Sequence, residues 1–157
     1  MRKRIINQGA YAVQQAKQDW INIARLAQVE ITSEDSAYPI ELALTSGDSA
    51  GWRAAQPGKQ TIRIIFDEPQ RFNHIHLQFD EDTQTRTHEF VILWSSVGER
   101  SYHETLRQQF TFSPPGTTRE VEDYVVNLTG VKVLELQIVP DINNGNALAS
   151  LTNLQIA

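Results

Sequence analysis

The chain has 157 residues, enough for a single domain with a substantial core. Its 40% hydrophobic and 21% charged content excludes a disordered chain, and a net charge of −5 argues against a general nucleic-acid binder. There is no cysteine, so disulfides, thiolate metal sites and a cysteine nucleophile are excluded.

Met1-Arg2-Lys3-Arg4-Ile5-Ile6 has a basic start, but Asn7-Gln8-Gly9 breaks the apolar run too early for an export signal. No stretch is long and apolar enough to span a bilayer, so a soluble cytoplasmic protein is expected. Residues 9–27 carry helix formers such as Ala10, Ala12, Gln14, Ala16 and Lys17. Asp19 is placed to cap a short helix starting near Trp20. Residues 1–28 therefore read as an N-terminal helical extension, packed on the body or projecting from it as a partner-binding or oligomerising arm. Packing is the simpler reading, because Trp20, Ile21 and Ile23 would otherwise expose a large apolar patch.

From residue 29 the pattern changes to strands. Residues 29–32 read as a short strand, 38–44 as a strand or extended loop, and 45–51 as a turn-rich loop. In the strand 61–66, Ile62, Ile64 and Phe66 share one face while Thr61 and Arg63 point the other way. Asp67-Glu68-Pro69-Gln70 reads as a connection to a second strand, 72–79. There Ile75, Leu77 and Phe79 alternate with His74, His76 and Gln78. Further strands are predicted at 89–95, 106–112, 121–128, 131–139 and 151–156. Turn residues bound them, including Ser113-Pro114-Pro115-Gly116, Thr129-Gly130 and Asn143-Asn144-Gly145. Many short strands so divided predict an all-β sandwich in one domain spanning 29–157.

Four stretches carry a family resemblance: Gly51-Trp52-Arg53-Ala54, the run from Gln60 through Asp67-Glu68-Pro69-Gln70, His88-Glu89-Phe90-Val91-Ile92-Leu93-Trp94-Ser95, and Val133-Leu134-Glu135-Leu136-Gln137-Ile138 followed by the closing Leu151-Thr152-Asn153-Leu154-Gln155-Ile156. In this order they resemble the discoidin, or coagulation-factor type C, domain of the galactose-binding-like jelly rolls. The resemblance implies a jelly-roll β-sandwich with ligands held by loops at one end. Members of the family bind sugars, lipid head groups or proteins, so the fold does not name the ligand. Where many members hold a structural calcium with an acidic residue, this chain has Asn153, so no cofactor is expected.

Chemistry-bearing residues are few. His74 and His76, two apart on one strand face, could present imidazoles to a metal, but no further ligand is placed beside them, and no metal site is assigned. The runs Ser33-Glu34-Asp35 and Asp80-Glu81-Asp82 read as solvated turns unless two carboxyls face each other across a substrate. No nucleophile elbow, phosphate-binding glycine loop or helical His-Glu-x-x-His is present, so an enzyme is not expected. Trp52 either stacks on a sugar ring or plugs the sandwich end, while Arg53 beside it suits hydroxyls or a carboxylate. Arg86 and His88 extend the same rim, and Asp141, Asn143, Asn144 and Asn146 offer directional donors and acceptors, or a tight turn. Trp94 reads as core. Arg119, Glu120, Glu122 and Asp123 read as a charged, solvated sheet face or a docking surface. The function expected is a non-catalytic module recognising a carbohydrate or similar small polar ligand through loops at one end. The alternative is an intracellular protein-interaction or assembly scaffold.

Overall fold

The computed structural model describes residues 19–45, 47–98 and 100–157. Most of the predicted N-terminal helical extension, with the oligomerising arm it implied, lies outside the described residues. What is described of it is one helical turn, α1 (Ile23–Leu26), capped by the side chain of Asn22 and not by Asp19. Asn22 Oδ1 accepts the Arg25 amide at 3.2 Å, satisfying one of the free donors of the first turn. Strand β1 (Ala27–Ile31) follows at once. Ile23 is buried in the core, and the Ile21 amide donates to the Ile156 carbonyl at 2.8 Å.

The remaining elements are α2 (Glu41–Leu44), β2 (Trp52–Arg53), β3 (Gln60–Asp80), β4 (Arg86–Ser95), β5 (His103–Phe112), β6 (Arg119–Val139), β7 (Ser150–Leu151) and β8 (Asn153–Ile156). The segment 38–44, expected as a strand or extended loop, contains α2 instead. Among the described residues no helix is long and apolar enough to cross a membrane.

Two strands of 21 residues, β3 and β6, dominate the architecture. The sequence predicts each as two strands joined by a turn; the backbone carries straight through. Residues Gln60 to Ile65 pair antiparallel with Ile138 to Val133, and the same two strands go on pairing from Gln70↔Val131 to Asp80↔Arg119. Register shifts between Ile65 and His74 mark an irregular bend where the expected turns lay. Pro69 sits in the bend, where its missing N–H takes no donor from the ladder. Opposite it, Gly130 has φ +67, a backbone state that glycine adopts without a Cβ penalty.

The bend folds one hydrogen-bonded sheet over itself into two layers. The front layer runs β1, the first half of β3, the second half of β6, β4 and β5, and β8 adds to the second half of β3 in the back layer. Alternation fills the space between. Ile62, Ile64 and Phe66 from the front half and Ile75, Leu77 and Phe79 from the back half belong to one buried cluster with Phe90, Ile92 and Phe112. This is a β-sandwich of jelly-roll type. Trp94 lies half-buried against that core, its ring tilted 36° to that of His103 with centroids 4.8 Å apart.

The bend also brings the free ends of both long strands together. Asp80, ending β3, accepts from Arg119, opening β6, at 2.7 Å, and Arg86, opening β4, donates to the carbonyl of Pro140 just past β6 at 2.7 Å. The short pair β2–β7 closes this end through Trp52↔Leu151. Gly51 makes that pairing possible. Its φ is +74, and a Cβ there would overlap the Leu151 carbonyl and lie 2.5 Å from Thr152 Cα. Gly58 shares the positive φ, at +91, but has nothing within 4 Å. Left-handed strain at a non-glycine residue costs on the order of 1–3 kcal/mol. Gly58→Ala is expected to lose only that much in urea denaturation. Gly51→Ala should lose more, since backbone overlap adds to the strain, and equal losses would contradict this packing.

Candidate functional site

The loop end carries two adjoining recesses of about 390 and 280 Å³. Both are lined by Arg53, Asp80, Glu81, Asp82 and Ser150. Ser49, Thr118, Arg119 and Thr152 extend the first, and Gln84, Arg86, Asn146 and Leu148 the second. Of the residues proposed from sequence, the fold therefore gathers Arg53, Arg86 and Asn146.

Trp52 is not among them. It is 0% exposed, and its indole N–H donates to the Ser33 carbonyl at 3.0 Å. The plug reading holds and the sugar-platform reading does not: a polar tip that finds its partner inside lets the whole indole bury. His88 also leaves the rim. At 1% exposure it sits among Phe79, Phe90 and Phe112, with ring centroids 4.7, 5.8 and 5.0 Å away. It lies on the inward face of β4 with Phe90, so alternation carries it into the core. Asp141, Asn143 and Asn144 form a tight turn. The Asp141 carboxylate accepts the Asn143 amide at 3.0 Å, and Asn144 adopts φ 63. None of these three lines the recesses; Asn146, exposed at the far side of the turn, does.

The charges in the recesses are unevenly committed. Asp80 accepts from Arg119 Nε at 2.7 Å, Thr152 Oγ1 at 2.7 Å and Gln78 Nε2 at 2.9 Å. Burial pushes its carboxyl up, but these donors outweigh burial and hold it below the usual range. Glu81 is held down in the same way: burial opposes, while Arg86 at 2.6 Å and Thr83 prevail. Arg86 is 4% exposed and fully engaged, donating to Glu81 and Pro140 and lying 5.2 Å over the Phe112 ring. Arg53 differs. It is exposed, its guanidinium lies 4.4 Å over the Tyr38 ring, and it has no carboxylate partner among the described residues. Backbone bonds lock its position, from its own amide to the Tyr38 carbonyl at 3.2 Å and from the Asp35 amide to its carbonyl at 2.8 Å.

Sequence reasoning read Asp80-Glu81-Asp82 as a solvated turn and left it out of the site. The available signal was position: an acidic run directly after the inward Phe79 and just before Arg86 must sit where β3 turns into β4. Tyr38 left no comparable signal, because its contact with Arg53 depends on a loop path.

Beneath the rim lies a polar network in the core. His88 Nε2 and Glu120 Oε1 are 2.6 Å apart, each side chain 1% exposed. Burial, then the charge of Arg86, pushes the His88 imidazole down to about 3, and burial pushes Glu120 up. Both directions run against an ion pair, since two charges among phenyl rings would lose too much solvation. Glu120 Oε2 is buried with no donor unless Glu122 is protonated. Burial, followed by the hydrogen bond and charge of Glu120, pushes Glu122 up to about 7. Gln108 of β5 donates to Glu122 at 2.8 Å and accepts from the Tyr124 hydroxyl, joining the edges of the two layers. Glu120 and Glu122, expected as a solvated charged face, are instead buried and half-buried, because β5 packs beside the first half of β6.

The histidines on the back layer are held by a carboxylate. His74 Nε2 and His76 Nδ1 both lie 2.8 Å from Asp123 Oδ1, and among the described residues no group of three or more potential ligands is arranged to hold a metal.

A raised carboxyl contributes stability below its unfolded value that is lost as pH rises through the folded one, here from 4.5 to about 7 for Glu122. The depressed His88 acts oppositely, with stability lost as pH falls from 6.5 towards about 3. Urea midpoints across this range should show Glu122→Gln gaining on the wild type as pH rises from 4.5 to 7. A constant difference between the two proteins would contradict the raised Glu122 carboxyl.

No family model matches the sequence, and no curated protein matches it. Solved structures do. The family 32 carbohydrate-binding module of Clostridium perfringens NanJ, solved in complex with galactose, matches with a TM-score of 0.64 at 11% identity, over 87% of this chain and 96% of that one. The family 32 module of AlyQ, in complex with 4,5-unsaturated mannuronic acid, matches at 0.57 and 19%, over 84% and 95%. A chain of the complex of reduced XRCC1 with the DNA polymerase β catalytic domain matches at 0.60 and 16%, over 84% and 95%. This chain therefore shares the jelly-roll β-sandwich fold of these structures.

Proposed function

We propose that this chain is a non-catalytic binding module that recognises a saccharide at the loop end, with Arg53 as the central contact. The observation that carries the reading is the Arg53 guanidinium: exposed, held over Tyr38, and unmatched by any described carboxylate at the junction of the two recesses. Around it stand groups suited to sugar hydroxyls, namely Asn146, Ser150 and Gln84. Two of the similar structures are modules with a bound sugar or sugar acid, which supports this class of ligand.

The electrostatics support binding without hydrolysis. A glycosidase needs two carboxyls opposed across the scissile bond, one of them held protonated. Asp80 and Glu81 are neighbours in sequence, both held below the usual range, and each is tied to an arginine. Such groups fix a rim and leave Arg53 as its uncommitted cation. An open recess of this kind binds weakly, because ordering polar groups offsets much of the contact energy.

Calorimetric titration with galactose and with galacturonic acid tests the reading. Hydrogen bonds from a charged donor contribute about 1.5–3 kcal/mol, so Arg53→Ala is expected to weaken binding about 10- to 100-fold. Arg53→Lys should fall between, keeping charge but losing the planar fork. Unchanged affinity in Arg53→Ala would remove Arg53 from the site, and no binding of either sugar would reject the proposal.

A further inference from the structure

The back layer carries a second concavity of about 280 Å³ that shares no lining residue with the loop-end recesses. It lies between Trp20, the C-terminal end of α2 and the outer side of β8. Its lining is Trp20, Ile21, Asn22, Leu44, Thr45 and Gln155. Ile21 and Leu44 are half-buried and form an apolar floor packed against the core.

Trp20 is the half-exposed member of this wall, and its position is fixed from behind. Its indole lies 5.1 Å from the His74 ring and 6.1 Å from the His76 ring. Asp123 Oδ1 lies 2.8 Å from a nitrogen of each imidazole, which sets both rings and through them the indole. Burial pushes the Asp123 carboxyl up, but the contacts with His76 and His74 outweigh it and hold the group low, as an anion.

The rim is polar and uncommitted. The Thr45 hydroxyl and the Gln155 amide have no hydrogen-bond partner among the described residues. Asn22 uses Oδ1 to cap α1 and keeps its NH2 group free. An aromatic wall, an apolar floor and a few amide and hydroxyl groups match a pyranose, which has an apolar C–H face edged by hydroxyls. Among the described residues no charged side chain lines the groove. Ligand pockets begin at about 300 Å³, so the space suits one ring and not a chain of them.

We propose that this groove is a second saccharide position, taking a single neutral pyranose unit with Trp20 against its C–H face and Gln155 and Thr45 on its hydroxyls. The inference rests on the saccharide reading of the loop end, but involves different residues and a different charge preference.

Titrating the isotopically labelled full chain with galactose and N-acetylgalactosamine, while following indole and side-chain amide resonances, tests it. The Trp20 indole and Gln155 amide signals should shift, and should do so equally in Arg53→Ala. In Trp20→Ala, which removes the indole signal, the Gln155 amide shift should vanish. In Gln155→Ala, which leaves the indole in place, the Trp20 shift should saturate about 2- to 10-fold later, the loss of one neutral hydrogen bond. If loop-end signals move while Trp20 and Gln155 stay still, the groove is not a site and the loop-end reading survives. If nothing moves, both readings fall. If the groove responds and Arg53→Ala changes no shift anywhere, the groove stands and the loop-end site falls.

Discussion

The continuous pairing of β3 with β6 through their shared bend is the constraint on which the rest depends. Two strands of 21 residues each remain hydrogen-bonded to one another while crossing, in opposite directions, between the front layer and the back one. Both strands therefore start and finish at the same end of the sandwich. Gln60, Asp80, Arg119 and Val139, far apart in the chain, become neighbours there. The loops that follow them inherit that proximity without needing contacts of their own to create it. The site is an output of register.

Charge at this end is then sorted by burial. Arg86 is nearly excluded from water, and an unpaired guanidinium there would be costly, so Glu81 and the Pro140 carbonyl answer it. Arg119 is open to solvent yet also paired, with Asp80. Among the described residues of this end, Arg53 is the cation supported by an aromatic face and not by a carboxylate. A ligand approaching Arg53 displaces water and breaks no ion pair. Directly below, His88 and Glu120 meet in the core 2.6 Å apart, and burial disfavours the charged form of each.

Much of the fold was legible in the sequence, because period-two alternation reports which side of a strand is dry. Ile62, Ile64, Phe66, Ile75, Leu77 and Phe79 all point inward as that pattern requires. The bend was not legible as a bend. Asp67-Glu68-Pro69-Gln70 and Thr129-Gly130 have turn chemistry, and local sequence cannot tell a turn that ends a strand from an irregularity that redirects one. Site residues fared less evenly, for a related reason. Arg53, Arg86 and Asn146 do line the loop-end recesses, because polar residues at or near strand ends on that side are carried there by the fold. His88 was misplaced because its partner, Glu120, lies 32 residues away, and without that partner an inward histidine reads as an outward one. Trp52 carried two readings that only the Ser33 carbonyl separates. The back-layer groove was invisible, since Trp20, Thr45 and Gln155 come from three distant segments.

A crystal structure of the chain grown with galactose examines the central claim most directly. The account predicts sugar density at the loop end, with ring hydroxyls within hydrogen-bonding distance of the Arg53 guanidinium and with Trp52 still sealed beneath. Arg53 turned away to pair with a carboxylate, its recess filled by water alone while sugar is bound elsewhere on the molecule, would contradict it.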